Sequence, residues 1–195
     1  GMAAATSDSA DANPGSRNAG DPNAMYQLWL QLASGNFISV AHVRGQANAG
    51  GIGFVAACDL VIADNNAVFS LSELLFGLMP ACVLPFLIRK IGYQKAHAMT
   101  LMTQPVDINQ ARDWGLVDSA ADNSKLALNK HLLRLRRLNK TAIGRYKHYI
   151  NSLDTSLQDH RDKALAANLE VFNDTENIAK ISRYVDTGKF PWEDD

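Results

Sequence analysis

Glu73 and the glycines of Ala49-Gly50-Gly51-Ile52-Gly53 are the residues whose types and spacing can do chemistry. The glycines end a small-residue loop that begins at Val43-Arg44-Gly45 and lead directly into an apolar run expected to be helical from residue 52 to 58. A helix start presents unpaired backbone N–H groups and the positive end of a dipole. Glycine lets those groups approach a ligand with no side chain in the way. A negative oxygen developing there during a reaction would be stabilised. Glu73 is the one carboxylate in the apolar run that follows, flanked by Phe69, Leu71, Leu74, Leu75 and Phe76. The common fate of a glutamate is solvation. A greasy pocket would instead raise its proton affinity and suit it to proton transfer near neutrality. The Gly50 amide and the Glu73 carboxylate therefore read as an oxyanion hole and a general base, with Ala49 and Gly51 as further substrate-binding positions.

Other chemically capable residues form no pattern. His42, His97, His131, His148 and His160 have no metal-ligand or triad spacing, so no metal site is expected. His42, inside a strand, reads as a core histidine with a satisfied hydrogen bond. Asn48 reads first as a turn residue. Cys58 and Cys82 lie in apolar surroundings and read as two buried thiols in a reducing cytoplasm.

The elements that must position Glu73 and Gly50 follow from periodicity and punctuation. Residues 24–33 have helical spacing, and 37–43 is a β-rich run expected to be a buried strand. Short strands are expected at 60–63 and 67–70, around a turn at Asp64-Asn65-Asn66. A helix over 83–91 takes Pro85 in its first turn, and Gly92 ends it. The next helix is 95–102. A short one follows over 108–114, with Asp107 as N-cap and Gly115 as its stop. Amphipathic helices are expected at 125–138, 141–150 and 157–172, with a last one at 177–185. Residues 3–23 hold no large hydrophobe, so 1–23 is expected to be a flexible segment. Residues 24–123 form the mixed α/β core, and 124–195 a helical C-terminal and oligomerisation region.

The chain has 195 residues, 47% hydrophobic and 20% charged, with a formal net charge of −1. That is enough chain to bury a core, and the charge balance points away from nucleic acid and anionic membrane. No apolar run approaches transmembrane length, and residues 1–23 show no signal-peptide pattern.

Residues 39–117 resemble the crotonase (enoyl-CoA hydratase/isomerase) superfamily. The resemblance is carried by Val43-Arg44-Gly45, Ala49-Gly50-Gly51, Cys58-Asp59, Ala63, Phe69, Glu73, Gly77, Pro80, Arg89, Gly92, Ala96, Ala111 and Gly115-Leu116-Val117. Phe172 and Lys189-Phe190-Pro191 resemble the family's closing segment. The resemblance implies an α/β fold, a crotonase-like β-β-α spiral with a helical C-terminal region, and a homotrimer or dimer of trimers. Leu71-Ser72-Glu73 and the segment from Leu78 to Arg89 are most similar to dehydratases of polyketide β-branching. The implied reaction removes water from a 3-hydroxy-3-methylglutaryl group on an acyl carrier protein and gives the 3-methylglutaconyl thioester. No cofactor is implied beyond the phosphopantetheine of the carrier or of CoA. Ala81 and Cys82 replace a glycine-containing turn of hydratases and are expected to line the acyl pocket.

The family pattern is departed from twice. Hydratases carry a second glutamate where this chain has Gly53, so two-carboxylate water addition is not expected. The family's Phe-x-x-Gly-x-Asp-like segment, which supplies the other oxyanion-hole N–H, has no counterpart here. Only Gly1-Met2 stands at the corresponding distance, and the expectation is a chain shortened on its N-terminal side. Two alternatives remain: a hydratase or isomerase of CoA thioesters, and a non-catalytic scaffold or oligomer subunit. The cations Lys130, Arg134, Arg136, Arg137 and Lys140 read first as the solvated face of an amphipathic helix, and second as a dock for an acidic carrier protein.

Overall fold

Two short parallel sheets carry the framework of this computed structural model, which describes residues 21–193. Helix α1 (Pro22–Ser34) packs against three of the helices that follow. Strand β1 (Val40–Val43) pairs in register with β3 (Leu60–Ala63), and β3 pairs with β5 (Ser119–Ala120). The second sheet pairs β2 (Gln46–Asn48) with β4 (Val68–Ser70). Helix α2 (Gly50–Ala57) crosses from β2 back to the start of β3, as a parallel connection requires. A 3₁₀ turn (Glu73–Phe76) follows β4. Helices α3 (Leu84–Ile91), α4 (Tyr93–Met102) and α5 (Ile108–Asp113) complete the mixed part. The rest is helical: α6 (Ser124–Leu135), α7 (Lys140–Leu153), α8 (Ser156–Asp159), α9 (Arg161–Phe172) and α10 (Thr175–Thr187).

Local chemistry explains most boundaries. The Asp107 carboxylate accepts from the Asn109 and Gln110 amides and starts α5, while Gly115, at φ +79°, lies just beyond its end. Pro85 sits in the first turn of α3, where its missing N–H costs nothing. The expected helices at 83–91, 95–102, 108–114, 125–138, 141–150 and 177–185 all appear within a few residues of their expected ends.

The structure corrects four expectations. Residues 21–23, placed in the flexible segment, are the cap and first turn of α1: Asp21 accepts from the Asn23 amide at 2.9 Å, and Pro22 has φ preset for a helix. Residues 1–20 of that segment lie outside the described residues. The strand expected at 37–43 begins only at Val40, because Phe37 is exposed and Ser39 is held by the Asp59 carboxylate. The helix expected at 157–172 is broken at His160 into α8 and α9. The loop read as continuous from 43 to 50 contains β2.

The core centres on Tyr26, Trp29, Ile52, Phe69, Phe86 and Leu87. Burying one such side chain contributes about 1.5–3 kcal/mol. Trp29 packs edge-on against Phe54 and Phe86, with centroids at 5.8 and 5.7 Å, and so locks α1 to α2 and α3. The Tyr26 hydroxyl donates to the Leu157 carbonyl at 2.6 Å, tying α1 to the C-terminal helices; burial pushes its pKa up to about 12. Asp59 accepts from the Ser39 amide and is paired with the buried ammonium of Lys147, which also donates to the Ala33 carbonyl. Among the described residues no helix is long and apolar enough to cross a membrane.

Candidate active site

The turn from β2 into α2 is backbone-strained and open. Ala49 has φ +48° and ψ −122°, a left-handed value that a residue with a Cβ rarely adopts. Such strain costs of order 1–3 kcal/mol and must be held by its surroundings. The Ala49 amide donates to the Ser70 carbonyl at 3.1 Å, and its carbonyl accepts from Ile52 at 2.9 Å. Among the described residues the amides of Gly50 and Gly51 have no backbone acceptor outside the helix, and being the first two residues of α2 they have none within it. The first turn holds no acidic side chain and no side-chain cap. A Cβ built on Gly50 meets nothing nearer than 4.0 Å, from Trp29, and one on Gly51 nothing nearer than 4.0 Å, from Ala47. Close packing therefore does not require either glycine. An open approach to the N–H groups does.

Sheet register brings Glu73 to the same end. β2 and β4 are parallel, with Asn48 opposite Ser70. Gly50 lies just beyond Asn48, and Glu73 just beyond Ser70. The Ser70 hydroxyl donates to the Asn48 side-chain oxygen at 2.8 Å, so Asn48, expected in a turn, ends strand β2 and ties it to β4. Glu73 opens the 3₁₀ turn, with one carboxylate oxygen buried and, among the described residues, without a hydrogen-bond partner. Burial raises its pKa above the ordinary glutamate value; the Glu73 and Ser72 backbone N–H groups pull the other way. Gly77, at φ +79°, closes the turn.

The remaining candidates each have their own surroundings. Ala81 lines a cavity of about 340 Å³ with Met79, Leu84, Pro85 and Ile88 on one side and His160 and Lys163 on the other. Neither Gly50 nor Glu73 is in its wall. Cys82 is buried, with its thiol 3.7 Å from the Ala164 carbonyl, and burial pushes its pKa up. Gly53 packs bare against the indole of Trp29: a Cβ there would lie 2.5 Å from Cε2 and 2.6 Å from Cη2. His42 Nε2 lies 2.9 Å from the Ser124 hydroxyl, the satisfied contact expected of it. Arg136 and Lys140 sit beside Asn36 and Phe37, near the start of β1. That is the end of the first sheet where α2 finishes, so roughly 12 Å of helix separates this basic patch from Gly50. Among the described residues no three His, Cys, Asp or Glu side chains are grouped to hold a metal.

Sequence reasoning missed the support behind Glu73. Asn177, in the first turn of α10, donates to the Gly77 carbonyl at 3.1 Å. Phe76 contacts Tyr184 and Phe190, with centroids at 5.2 and 6.1 Å. The available signal was the pairing of Phe76-Gly77 with an aromatic tail, Tyr184, Phe190 and Trp192.

Residues 5–195 match the enoyl-CoA hydratase/isomerase family. The chain is 54% identical over 180 residues to the bacillaene synthase dehydratase PksH of Bacillus subtilis (strain 168), covering 92% of this chain and 70% of that protein. It is 38% identical over 92 residues to the 2,3-dehydroadipyl-CoA hydratase of Escherichia coli (strain K12), covering 47% of this chain but only 36% of that protein. A crystal structure of the Bacillus subtilis polyketide biosynthesis enoyl-CoA hydratase (pksH) superposes with a TM-score of 0.86, covering 89% of this chain and 69% of that one. An enoyl-CoA hydratase structure from Mycobacterium avium subsp. paratuberculosis K-10, 23% identical, gives 0.79 and shares the fold. On its sequence and its β-β-α architecture, this chain belongs to the enoyl-CoA hydratase/isomerase family, with the crotonase fold.

Proposed function

We propose that this chain carries the catalytic part of a hydro-lyase that dehydrates a 3-hydroxyacyl thioester in polyketide biosynthesis. The proposed substrate is a 3-hydroxy-3-methylglutaryl group on an acyl carrier protein, and the product is the 3-methylglutaconyl thioester. One observation carries the reading: an unpartnered buried carboxylate oxygen of Glu73 stands at the same sheet end as the free amide of Gly50. The 54% identity to a bacillaene synthase dehydratase supports the reaction class.

The Gly50 N–H donates to the thioester oxygen. Glu73 takes a proton from C2, and the electron pair moves into the enolate, whose charge the amide stabilises. One such donor is worth about 2.7–4 kcal/mol of barrier. The enolate collapses to the C2–C3 double bond as the C3–O bond breaks. The Glu73 carboxylic acid returns its proton to the departing hydroxyl, so water leaves and the carboxylate is regenerated. One carboxylate serves both steps, which agrees with Gly53 standing where a second would be and with Trp29 filling the space beside it. The steps draw on no cofactor beyond the phosphopantetheine that carries the acyl group. We further propose a homotrimer or dimer of trimers in the cytoplasm, a setting in which the buried thiols Cys58 and Cys82 stay reduced.

The experiment is turnover of carrier-linked and CoA-linked 3-hydroxy-3-methylglutaryl substrates side by side, with wild type and Glu73→Gln. Preference for the carrier-linked substrate, abolished by the substitution, supports the proposal. Preference for CoA moves the chain to the hydratase or isomerase reading. No turnover of either substrate leaves a scaffold.

A further inference from the structure

We infer that Asn177 is a positioning residue for Glu73, acting through the peptide of Gly77; this rests on reading Glu73 as the proton-transfer group. Asn177 is 6% exposed, at the corner where α9 turns into α10. Its side-chain amide donates to two carbonyls, Gly77 at 3.1 Å and Val171 at 3.1 Å. One side chain thus joins the α9–α10 corner to the end of the Glu73 turn. The Gly77 amide donates to Leu74 at 3.2 Å, and the Leu78 amide donates to the Glu73 carbonyl at 3.1 Å. The Gly77 peptide is therefore held from both sides. A Cβ at Gly77 would run into the Asn177 oxygen, and φ of +79° already disfavours one.

The same helix covers the turn. Tyr184 of α10 meets Phe76 edge-on, while Phe190, beyond the helix end, stacks on Phe76 and lies on Trp192 with centroids 4.9 Å apart. The ionisable groups on the helices packed against the turn are Lys95, His97 and Tyr93 on α4, and Glu176, Lys180, Arg183, Tyr184 and Asp186 on α10. Lys180 is paired with Glu176 at 2.7 Å. None of these groups is among the causes of the raised Glu73 pKa, which are burial opposed by two backbone amides. Loosening the turn therefore acts on Glu73 by wetting it, not by bringing up a charge.

The test is Asn177→Ala in the full chain, read two ways. The Glu73 carboxyl is titrated by NMR with ¹³C-labelled glutamate, its signal assigned by its loss in Glu73→Gln. Turnover of the carrier-linked substrate is measured alongside. The expected result is a titration midpoint that moves down toward the ordinary glutamate range. With it, kcat falls by about tenfold to a hundredfold, the scale of a small misplacement, while KM stays nearly constant. An unmoved midpoint, whatever happens to the melting temperature, makes Asn177 a structural pin and overturns the inference. If Asn177→Ala does not fold, Asn177→Ser carries the same two readouts. Because the titration needs no turnover, a parent chain without activity would sink the catalytic reading and leave this coupling measurable.

Discussion

Replacing Glu73 by Gln should make the protein more stable while removing its chemistry. Glu73 has a raised pKa in the folded chain, caused first by burial, and one of its oxygens has no partner. A carboxyl with a raised folded pKa binds its proton more tightly when folded than when unfolded. Its ionisation therefore opposes folding. Below the unfolded pKa both states are protonated and there is no penalty. As pH rises through the unfolded and then the folded pKa, stability falls, and above the folded pKa the penalty is complete. The neutral amide of Gln is as unpartnered there as the neutral acid, so the gain is only the extra cost of burying the charge, taken as about 1–3 kcal/mol. For a chain of this size each kcal/mol is about 2–4 °C in melting temperature, so the variant should melt roughly 2–12 °C higher at pH 8. The gain should disappear near pH 4, where the wild-type carboxyl is also neutral. Turnover should fall by about 10²–10⁴, the scale of a lost general acid–base group. The assay is a pair of thermal melts across pH beside a rate measurement. A variant that melts lower than wild type at pH 8, or a difference that grows toward acid, would refute the idea that Glu73 is held desolvated for proton transfer.

Three other substitutions separate packing from chemistry. Gly50→Ala has room for its methyl group and removes a helix glycine, so stability should hold or rise by up to about 1 kcal/mol. Its methyl group enters the approach to the free amide, and kcat/KM should drop at least about tenfold, read by steady-state kinetics. Gly53→Glu, which restores the second hydratase carboxylate in sequence, should not yield a hydratase, because the indole of Trp29 occupies that space. Overpacking alone should cost about 1–3 kcal/mol in a denaturant melt, and the buried unpaired carboxylate should add to it. Lys147→Ala leaves Asp59 without its cation and should cost about 3–5 kcal/mol in the same assay, with little effect on substrate affinity in the fraction that folds.

The parts of this fold legible in the sequence are those set by neighbours along the chain. Asp107 and Gly115 mark the limits of α5, and Pro85 and Gly92 those of α3, because caps and glycine or proline act within a turn. The helix start at Gly50 and the burial of Glu73 were legible because a glycine loop before an apolar run and a lone carboxylate among large hydrophobes are local patterns. β2 was not legible: three residues, Gln46, Ala47 and Asn48, become a strand only through the partner β4. The break at His160 and the late start of β1 have the same origin, since tertiary contacts override a continuous apolar period. Asn177 is the clearest case. Its meaning lies in a hydrogen bond to Gly77, a hundred positions away, and its own surroundings in sequence look like an ordinary helix start.

Hydrogen exchange at C2 tests the central chemistry most directly. A thioester of the carrier with a glutaryl group that lacks the 3-hydroxyl cannot lose water, but its C2 proton can still be removed and returned. In D₂O the account predicts that wild type places deuterium at C2 and that Glu73→Gln does so at least about a hundredfold more slowly. Equal exchange by the two proteins, or no exchange by a wild type that dehydrates the full substrate, would contradict it.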